Sequence, residues 1–167
     1  MIEVKMKKTL LTVISLIICL SCIVSCSGTA EYKTDVAVST LAERGVTKIT
    51  FSSNLTEASS EFMSFFLNVD SSLYTECKVM TPGGSTSIDE FGIFKAKDAD
   101  SAAKIADALN AYLKDRVATW DTRYSQTEKP KVDGAKTTVF GTYVCYTILS
   151  ADEQTSFLNE IQDLLTK

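Results

Sequence analysis

The sequence predicts an α+β fold: a single two-layer sandwich in which helices pack on a small, mainly antiparallel sheet of about three to four strands, after a signal peptide. Three observations lead to this prediction. Segments of helical periodicity alternate with segments of strand periodicity along the chain. Turn-forming residues separate two strand segments closely enough for a hairpin. The 167 residues, 45% of them apolar, are enough for one domain with a core and too few for two domains.

The first 25 residues have the composition of a secretory signal peptide. Lysines near the start precede an apolar run over 10–24, which is shorter than the roughly 20 residues of a membrane-spanning helix. The following Ile23-Val24-Ser25-Cys26 resembles the lipobox of bacterial lipoproteins, whose cysteine is acylated and becomes the first mature residue. We therefore expect a palmitate-type lipid on Cys26 that anchors the protein in the cell membrane, facing outward, with residues 26–34 as a tether.

Removal of the signal peptide makes the chain more acidic. The whole sequence has 17 Lys and Arg against 21 Asp and Glu, and residues 1–25 contain three Lys and one Glu. The mature chain therefore keeps 14 basic and 20 acidic residues, a net charge of −6. Such a domain lacks the basic stripe that a nucleic acid requires and is repelled by an anionic bilayer. We expect no nucleic-acid partner, and a membrane contact only through the lipid.

Residues 35–167 are predicted to form one domain that begins with a helix. Asp35–Arg44 places its apolar residues on one helical face, and Gly45 follows as a C-terminal stop. The β-branched residues over 46–51 then predict a short strand.

A second helix is predicted from Asn54 and Glu57, which have the spacing of a capping box. It carries five apolar residues within six positions, and one face of a helix cannot bury all of them. We expect some of them to form a docking surface for a partner. The residues proposed for this surface are Phe62, Phe65 and Phe66, with Tyr124 from a later polar loop.

Two strands and the longest helix follow. Tyr74–Met80 alternates apolar and charged residues, as in a strand with one solvated face. The turn cluster over 81–85 connects it to a second strand, Ile88–Ala96. Asp98 is predicted to cap a helix over Ala99–Asp121, whose apolar residues recur at three- and four-residue steps.

The C-terminal part is predicted as a loop, a strand and a helix. Residues 124–136 are polar, contain Pro130 and are predicted to be a loop of the kind that often carries binding. Val139–Leu149 is predicted as a third strand with two apolar faces, and therefore as a central one. Ser150 and Glu153 have the spacing of a capping box for the last helix.

The residue types exclude most catalytic chemistry. Without His, the chain has no Ser-His-Asp or Cys-His nucleophile and no His-ligated zinc. Ser101 and Lys104 have the Ser-x-x-Lys spacing of penicilloyl-serine transferases, but the other motifs of those enzymes are missing. Asp98 and the Asp89-Glu90 pair lack the glycine turn and the distal glutamate of a calcium loop. We expect no enzyme, no cofactor and no metal.

Two cysteines besides Cys26 remain in the mature chain. Cys77 and Cys145 both lie in predicted strands among apolar neighbours. They are either small apolar residues of the core or partners in a disulfide, which a location outside the cytosol would permit.

The stretch over 89–165 resembles a known family. DEFGIFKAKDADSAAKIADALNAYL, from Asp89, and GTYVCYTILSADEQTSFLNEI, from Gly141, are similar to the domain of unknown function 4358, found in small lipoproteins of Gram-positive anaerobes. The resemblance implies the lipobox, an acidic mature domain and the order strand, Ala-rich helix, strand, helix. It implies a fold and a location, and it brings no catalytic residues.

These observations predict a membrane-anchored bacterial lipoprotein that works as a non-enzymatic binding or accessory module for an unidentified protein or envelope partner. The alternatives are a small-solute-binding lipoprotein and, less favoured, a small envelope hydrolase.

Overall fold

Five antiparallel strands form the centre of the fold in the computed structural model, which describes residues 31–50, 52–84, 87–121, 123 and 125–167. The order across the sheet is β1-β2-β3-β5-β4. The strands are β1 (Leu55–Glu57), β2 (Tyr74–Pro82), β3 (Glu90–Ala96), β4 (Lys136–Phe140) and β5 (Tyr143–Ile148). The predicted α+β class with an antiparallel sheet is confirmed, with more strands than predicted.

Helices precede the first strand, lie in the connections between strands and follow the last strand. They are α1 (Val38–Val46), α2 (Ser60–Phe62), α3 (Ala99–Ala118), α4 (Lys129–Asp133) and α5 (Ala151–Leu165). The single turn of α2 continues directly into a π-helical segment, Met63–Leu67. Short 3-10 turns lie at Ser52–Asn54 and Ser71–Leu73.

The sheet is covered on both faces, which gives three layers where the sequence predicted two. Phe91 and Ile93 of β3 belong to a core with α1 and α5, whereas Phe94 belongs to a second core with α3. All six residues of β5 are buried as well. Because neither face of these two strands is solvated, the sheet requires a helical layer on each side.

The predicted first helix is shifted, and the strand predicted after it is not formed. Helix α1 begins at Val38 and includes Gly45, where an added Cβ would lie 2.4 Å from the Phe157 ring. Gly45 is therefore required for close packing against α5. The chain then turns, because the N–H groups of Thr47 and Lys48 donate to carbonyls three residues earlier, at 3.3 and 2.9 Å. Phe51, the end of the predicted strand, lies outside the described residues.

The predicted capping box at Asn54 and Glu57 is also wrong. Leu55–Glu57 is the edge strand β1, paired antiparallel with the end of β2. The helix begins only at Ser60, because the Ser59 hydroxyl accepts a hydrogen bond from the Phe62 N–H at 3.2 Å. Burial of Leu55 against the sheet outweighs the local capping preference.

The predicted third strand, Val139–Leu149, is a hairpin of β4 and β5. Gly141 occupies the turn between them with φ +61°, a conformation that L side chains rarely adopt. The predicted loop over 124–136 contains α4 and the start of β4. Apolar residues continue on both sides of Gly141, so the pattern alone does not mark the turn.

The other predicted elements are present, although some of them begin or end at other residues. Strands β2 and β3 pair as neighbours, and the Asp98 carboxylate accepts from the Ser101 N–H at 2.7 Å. Ser150 caps α5: its hydroxyl accepts from the Glu153 N–H at 3.4 Å and donates to the Glu153 carboxylate at 2.6 Å. Helix α3 ends at Ala118, before the predicted Asp121.

The first and last described residues pair with each other. Tyr32 and Thr166 form an isolated antiparallel bridge, and the Lys33 N–H donates to the Leu165 carbonyl at 2.7 Å. Residues 1–30, including Cys26, lie outside the described part of the chain. Within the described part, no helix combines the length and the apolar character needed to cross a membrane.

Candidate functional site

Two adjacent carboxylates are buried where β3 begins. Asp89 and Glu90 are each only 2% exposed. A buried carboxylate is costly unless other groups donate hydrogen bonds to it or pair with its charge. The side chains around these two residues come from α3, α4 and β5, so the tertiary fold creates this site.

Two tyrosines donate hydrogen bonds to Glu90. The Tyr146 hydroxyl lies 2.6 Å from Oε1, and the Tyr112 hydroxyl lies 2.9 and 3.1 Å from the two carboxylate oxygens. Burial raises the pKa of Glu90, because it outweighs these hydrogen bonds and the nearby positive charge of Arg116. Burial and the proximity of Glu90 raise the pKa of both tyrosine hydroxyls, so they remain protonated donors.

Asp89 is held by a lysine of α4. The Lys131 ammonium donates to Asp89 at 2.6 Å and to Glu128 at 3.0 Å. Burial alone would lower the pKa of Lys131, but its hydrogen bonds to these carboxylates outweigh burial and raise it. Glu128 also accepts from the Ile88 N–H at 3.3 Å. These contacts fix the short helix α4 over the start of β3.

Gly92 allows Tyr146 to reach Glu90. These two residues are register partners in β3 and β5, and a Cβ at Gly92 would lie 2.3 Å from the Tyr146 ring. A side chain at this position would displace the ring from the strand surface. The glycine is therefore part of the site, although it makes no polar contact.

A cleft of about 360 Å³ lies beside these buried charges. Arg116 lines it, one helical turn after Tyr112 on α3, together with the half-buried Trp120. The other lining residues are Pro82, Gly84, Ser87, Ile88, Thr119 and Asp121. The volume is within the range of small-molecule sites.

The predicted docking residues lie at another surface. Phe65 is 79% exposed and Phe66 62%, whereas Leu67 beside them is 1% exposed. The π-helical backbone here gives a wider turn than an α-helix, and such segments are frequent at functional sites. Phe62 is half-buried behind Phe66, with the two ring centroids 5.4 Å apart. We call Phe62, Phe65 and Phe66 the aromatic patch; Tyr124 lies outside the described residues.

A series of ring contacts connects the aromatic patch to Glu90. The Phe62 ring lies edge-on to Tyr112 at 6.1 Å, and Tyr112 lies edge-on to Tyr146 at 5.9 Å. The hydroxyl groups of both tyrosines donate hydrogen bonds to the Glu90 carboxylate. The Tyr112 ring alone therefore lies between the aromatic patch and the buried Glu90.

Cys77 and Cys145 are free thiols, so the disulfide considered from the sequence is not formed. Cys77 lies in β2 and Cys145 in β5, and β3 lies between these two strands. Across the sheet, Cys77 is the register partner of Phe94, and Phe94 is the register partner of Val144. The two cysteines also contribute to the cores on opposite faces of the sheet. Burial raises the pKa of Cys145 to about 12.

The residues considered from the sequence for catalysis or metal binding do not form such a site among the described residues. Ser101 is buried in the first turn of α3, and Lys104 is exposed. Among the described residues, no three His, Cys, Asp or Glu side chains are grouped to hold a metal ion. The sequence did not identify Tyr112, Arg116 or Tyr146 as site residues, because no short motif connects them with Glu90.

The fold and this site define a small α+β domain with an antiparallel sheet, a buried acidic pair and an adjoining cleft. The family described as domain of unknown function (DUF4358) matches residues 48–149, and the chain belongs to this family. The matched range contains the acidic pair, the cleft and the aromatic patch. No curated protein and no solved structure matches the chain.

Proposed function

We propose that the protein is a lipoprotein, anchored through Cys26 at the outer face of the cytoplasmic membrane, whose domain is a non-enzymatic binding module for a protein partner. The lipobox-like Ile23-Val24-Ser25-Cys26 supports the anchor. The net charge of −6 calculated for the mature chain supports a domain that is held at the membrane by the lipid alone.

The exposure of Phe65 and Phe66 carries the proposal of a binding role. Two neighbouring phenyl rings that are 79% and 62% exposed form an apolar surface that a partner can cover. The Phe66 ring is supported on one side by Phe62, whose ring in turn contacts Tyr112. Ordering the Phe66 ring on binding would then cost less side-chain entropy, which favours affinity.

The proposal that the protein is not an enzyme rests on its residue types. The sequence contains no His. The only nucleophile-and-base spacing that we singled out has its serine buried and its lysine exposed.

The anchor is tested by fractionating cells that express a Cys26→Ser variant, with Cys22→Ser as the matched control. We expect Cys26→Ser to leave the membrane fraction and to lose incorporation of a palmitate analogue, while Cys22→Ser keeps both. Retention of the Cys26→Ser protein in the membrane, with undiminished lipid labelling, would contradict the anchor.

The binding role is tested by photo-crosslinking in intact cells. A photoreactive residue replaces the exposed Ser64, beside the aromatic patch, and a control protein carries it at the exposed Ser156 of α5. We expect one dominant protein adduct from position 64 that is lost in a Phe65→Ala/Phe66→Ala variant. Val139→Ala, which changes a 45% exposed residue on the edge strand β4, should keep the adduct.

The melting temperature of the Phe65→Ala/Phe66→Ala variant should stay close to that of the wild type, because both rings are exposed. An adduct that persists in this variant would count against the aromatic patch as the docking surface. Adducts at background level from both positions would count against the binding role.

A second candidate function is the binding of a small solute. The cleft of about 360 Å³ beside Arg116 and Trp120 favours it.

A further inference from the structure

We propose that the cleft beside Arg116 binds a small molecule that carries one carboxylate and an apolar body. The carboxylate pairs with the Arg116 guanidinium, and the apolar body packs against Trp120. This inference rests on the second candidate function, solute binding, and names the ligand class. It does not depend on the aromatic patch.

Arg116 has donor capacity that its neighbours do not use. Its Nε is shielded from solvent and has no hydrogen-bond partner among the described residues. None of the ion pairs formed within the described ranges involves Arg116. The Nε atom is too enclosed for a ligand oxygen to reach, so the donors for a ligand are the guanidinium nitrogens on the side of Arg116 that lines the cleft.

The charges around Arg116 leave its positive charge available to a ligand. Asp121, the acidic residue that lines the cleft, is already paired with Arg123, whose Nη2 lies 2.7 Å from its carboxylate. Glu90, whose charge acts on Arg116, accepts hydrogen bonds from Tyr112 and Tyr146 and is 2% exposed. Neither carboxylate forms an ion pair with the guanidinium in the described structure.

The lining residues favour a carboxylate over a phosphate. Arg116 is the single basic residue among them. Phosphate sites ordinarily combine several cations or the N–H groups at a helix start, whereas the cleft lies at the end of α3. A carboxylate needs only two parallel donors, which one guanidinium supplies.

Three other lining residues define the apolar part of the proposed ligand. Trp120 is half-buried against the core that contains α3, and it lines the cleft with Ile88 and Pro82. An indole ring favours flat or aliphatic groups beside it. Ser87 and Thr119 also line the cleft.

The protein carries a built-in probe for this proposal, because Trp120 is its only tryptophan. The full-length protein, purified in detergent, is titrated with hexanoate and with 3-phenylpropionate while tryptophan fluorescence is followed. The neutral amides of both acids and inorganic phosphate are titrated in parallel. We expect saturable changes with the two acids and at least tenfold weaker binding of the amides and of phosphate.

The variant Arg116→Gln should weaken binding of both acids at least tenfold. Arg116→Lys, which keeps the charge and loses the planar fork, should give an intermediate affinity. Arg44→Gln is the matched control, since Arg44 is an exposed arginine paired with Glu160, and it should bind as the wild type does. The comparison of each acid with its amide uses only the wild-type protein, so it stands even if an Arg116 variant does not fold.

Each contrary outcome overturns a defined part of the proposal. Equal affinity for an acid and its amide would retain solute binding and reject the carboxylate class. Tighter binding of phosphate would reject the carboxylate in favour of a phosphate ligand. No saturable change with any probe would reject the cleft as a solute site and leave the docking proposal unaffected, because no partner is present.

Discussion

Glu90 is a carboxyl group whose negative charge the fold disfavours. Its pKa is raised above the ordinary value of about 4.5 because burial outweighs the hydrogen bonds it accepts. A raised pKa means that the folded protein binds the proton more tightly than the unfolded chain does. The contribution of Glu90 to stability is therefore fully present below pH 4.5 and is lost as the pH rises through the folded pKa.

Substitution Glu90→Gln should remove this dependence. The difference in melting temperature, variant minus wild type, should become more positive between pH 4 and pH 8, because the amide keeps a hydrogen-bonding group for the tyrosines and has no charge to bury. Thermal unfolding across this range measures the difference.

Glu76→Gln is the control of opposite sign. The Glu76 carboxylate accepts from the Val38 N–H and pairs with Lys95, both at 2.9 Å, and these contacts lower its pKa. The contribution of Glu76 to stability is present above its ordinary pKa and is lost as the pH falls through its lowered pKa. The difference in melting temperature between Glu76→Gln and the wild type should therefore become more negative as the pH rises. If the Glu90→Gln curve runs parallel to that of the wild type, the assignment for Glu90 is incorrect.

Gly92 gives a second prediction at the level of single residues. Gly92→Ala should destabilise the fold by about 1–3 kcal/mol, the usual cost of overpacking, because its Cβ would lie 2.3 Å from the Tyr146 ring. Chemical denaturation measures the free energy of unfolding. In a Tyr146→Leu background the same substitution should cost less, since the ring is gone. Strictly additive costs would show that the two residues are not in contact.

The secondary-structure elements differ in how far the sequence predicts them. The starts of α3 and α5 were predictable because Asp98 and Ser150 act on N–H groups only three residues away. Strand β1 was not, because three residues become a strand only through pairing with β2. The hairpin of β4 and β5 was missed because apolar residues continue on both sides of its turn at Gly141, so the pattern alone predicts one long strand.

The same distinction between local and tertiary determinants applies to the sites. The exposure of part of the aromatic patch followed from an excess of apolar residues on one short helix, which is a local property. The acidic pair and its partners were not predicted, because Glu90, Tyr112, Lys131 and Tyr146 meet only through the order of the strands and the placement of α3 and α4.

A prediction at the level of an element concerns the cap of α5. Ser150→Ala removes the hydroxyl that accepts from the Glu153 N–H, and it should lower the free energy of unfolding by about 1 kcal/mol. Ser156→Ala, an exposed position within the same helix, should change it by less than about 0.5 kcal/mol. Denaturant titrations compare the two variants. Equal effects would mean that the cap contributes nothing specific.

For the whole molecule, the central sheet separates two cores. Ile161 of α5 belongs to one core and Ile105 of α3 to the other, and both are fully buried. Each Ile→Val substitution should cost about 0.5–1.5 kcal/mol. The double variant should cost the sum to within about 0.5 kcal/mol, because the two sites share no partner across the sheet. A larger deviation in the free energy of unfolding would show that strain passes from one face to the other.

The pairing of the chain ends has a mechanical consequence for a protein held by the tether proposed here. A pull from the N-terminal side would first break the hydrogen bond from the Lys167 N–H to the Glu31 carbonyl, and then that from the Lys33 N–H to Leu165. Because the segments are antiparallel, these bonds would open one after another rather than together. Release of three residues would lengthen the tether by roughly 10 Å while the sheet stays intact. The bridge between Tyr32 and Thr166 would thus act as an extensible link that yields before the sheet does, with loss of the contact between the Tyr32 and Phe140 rings.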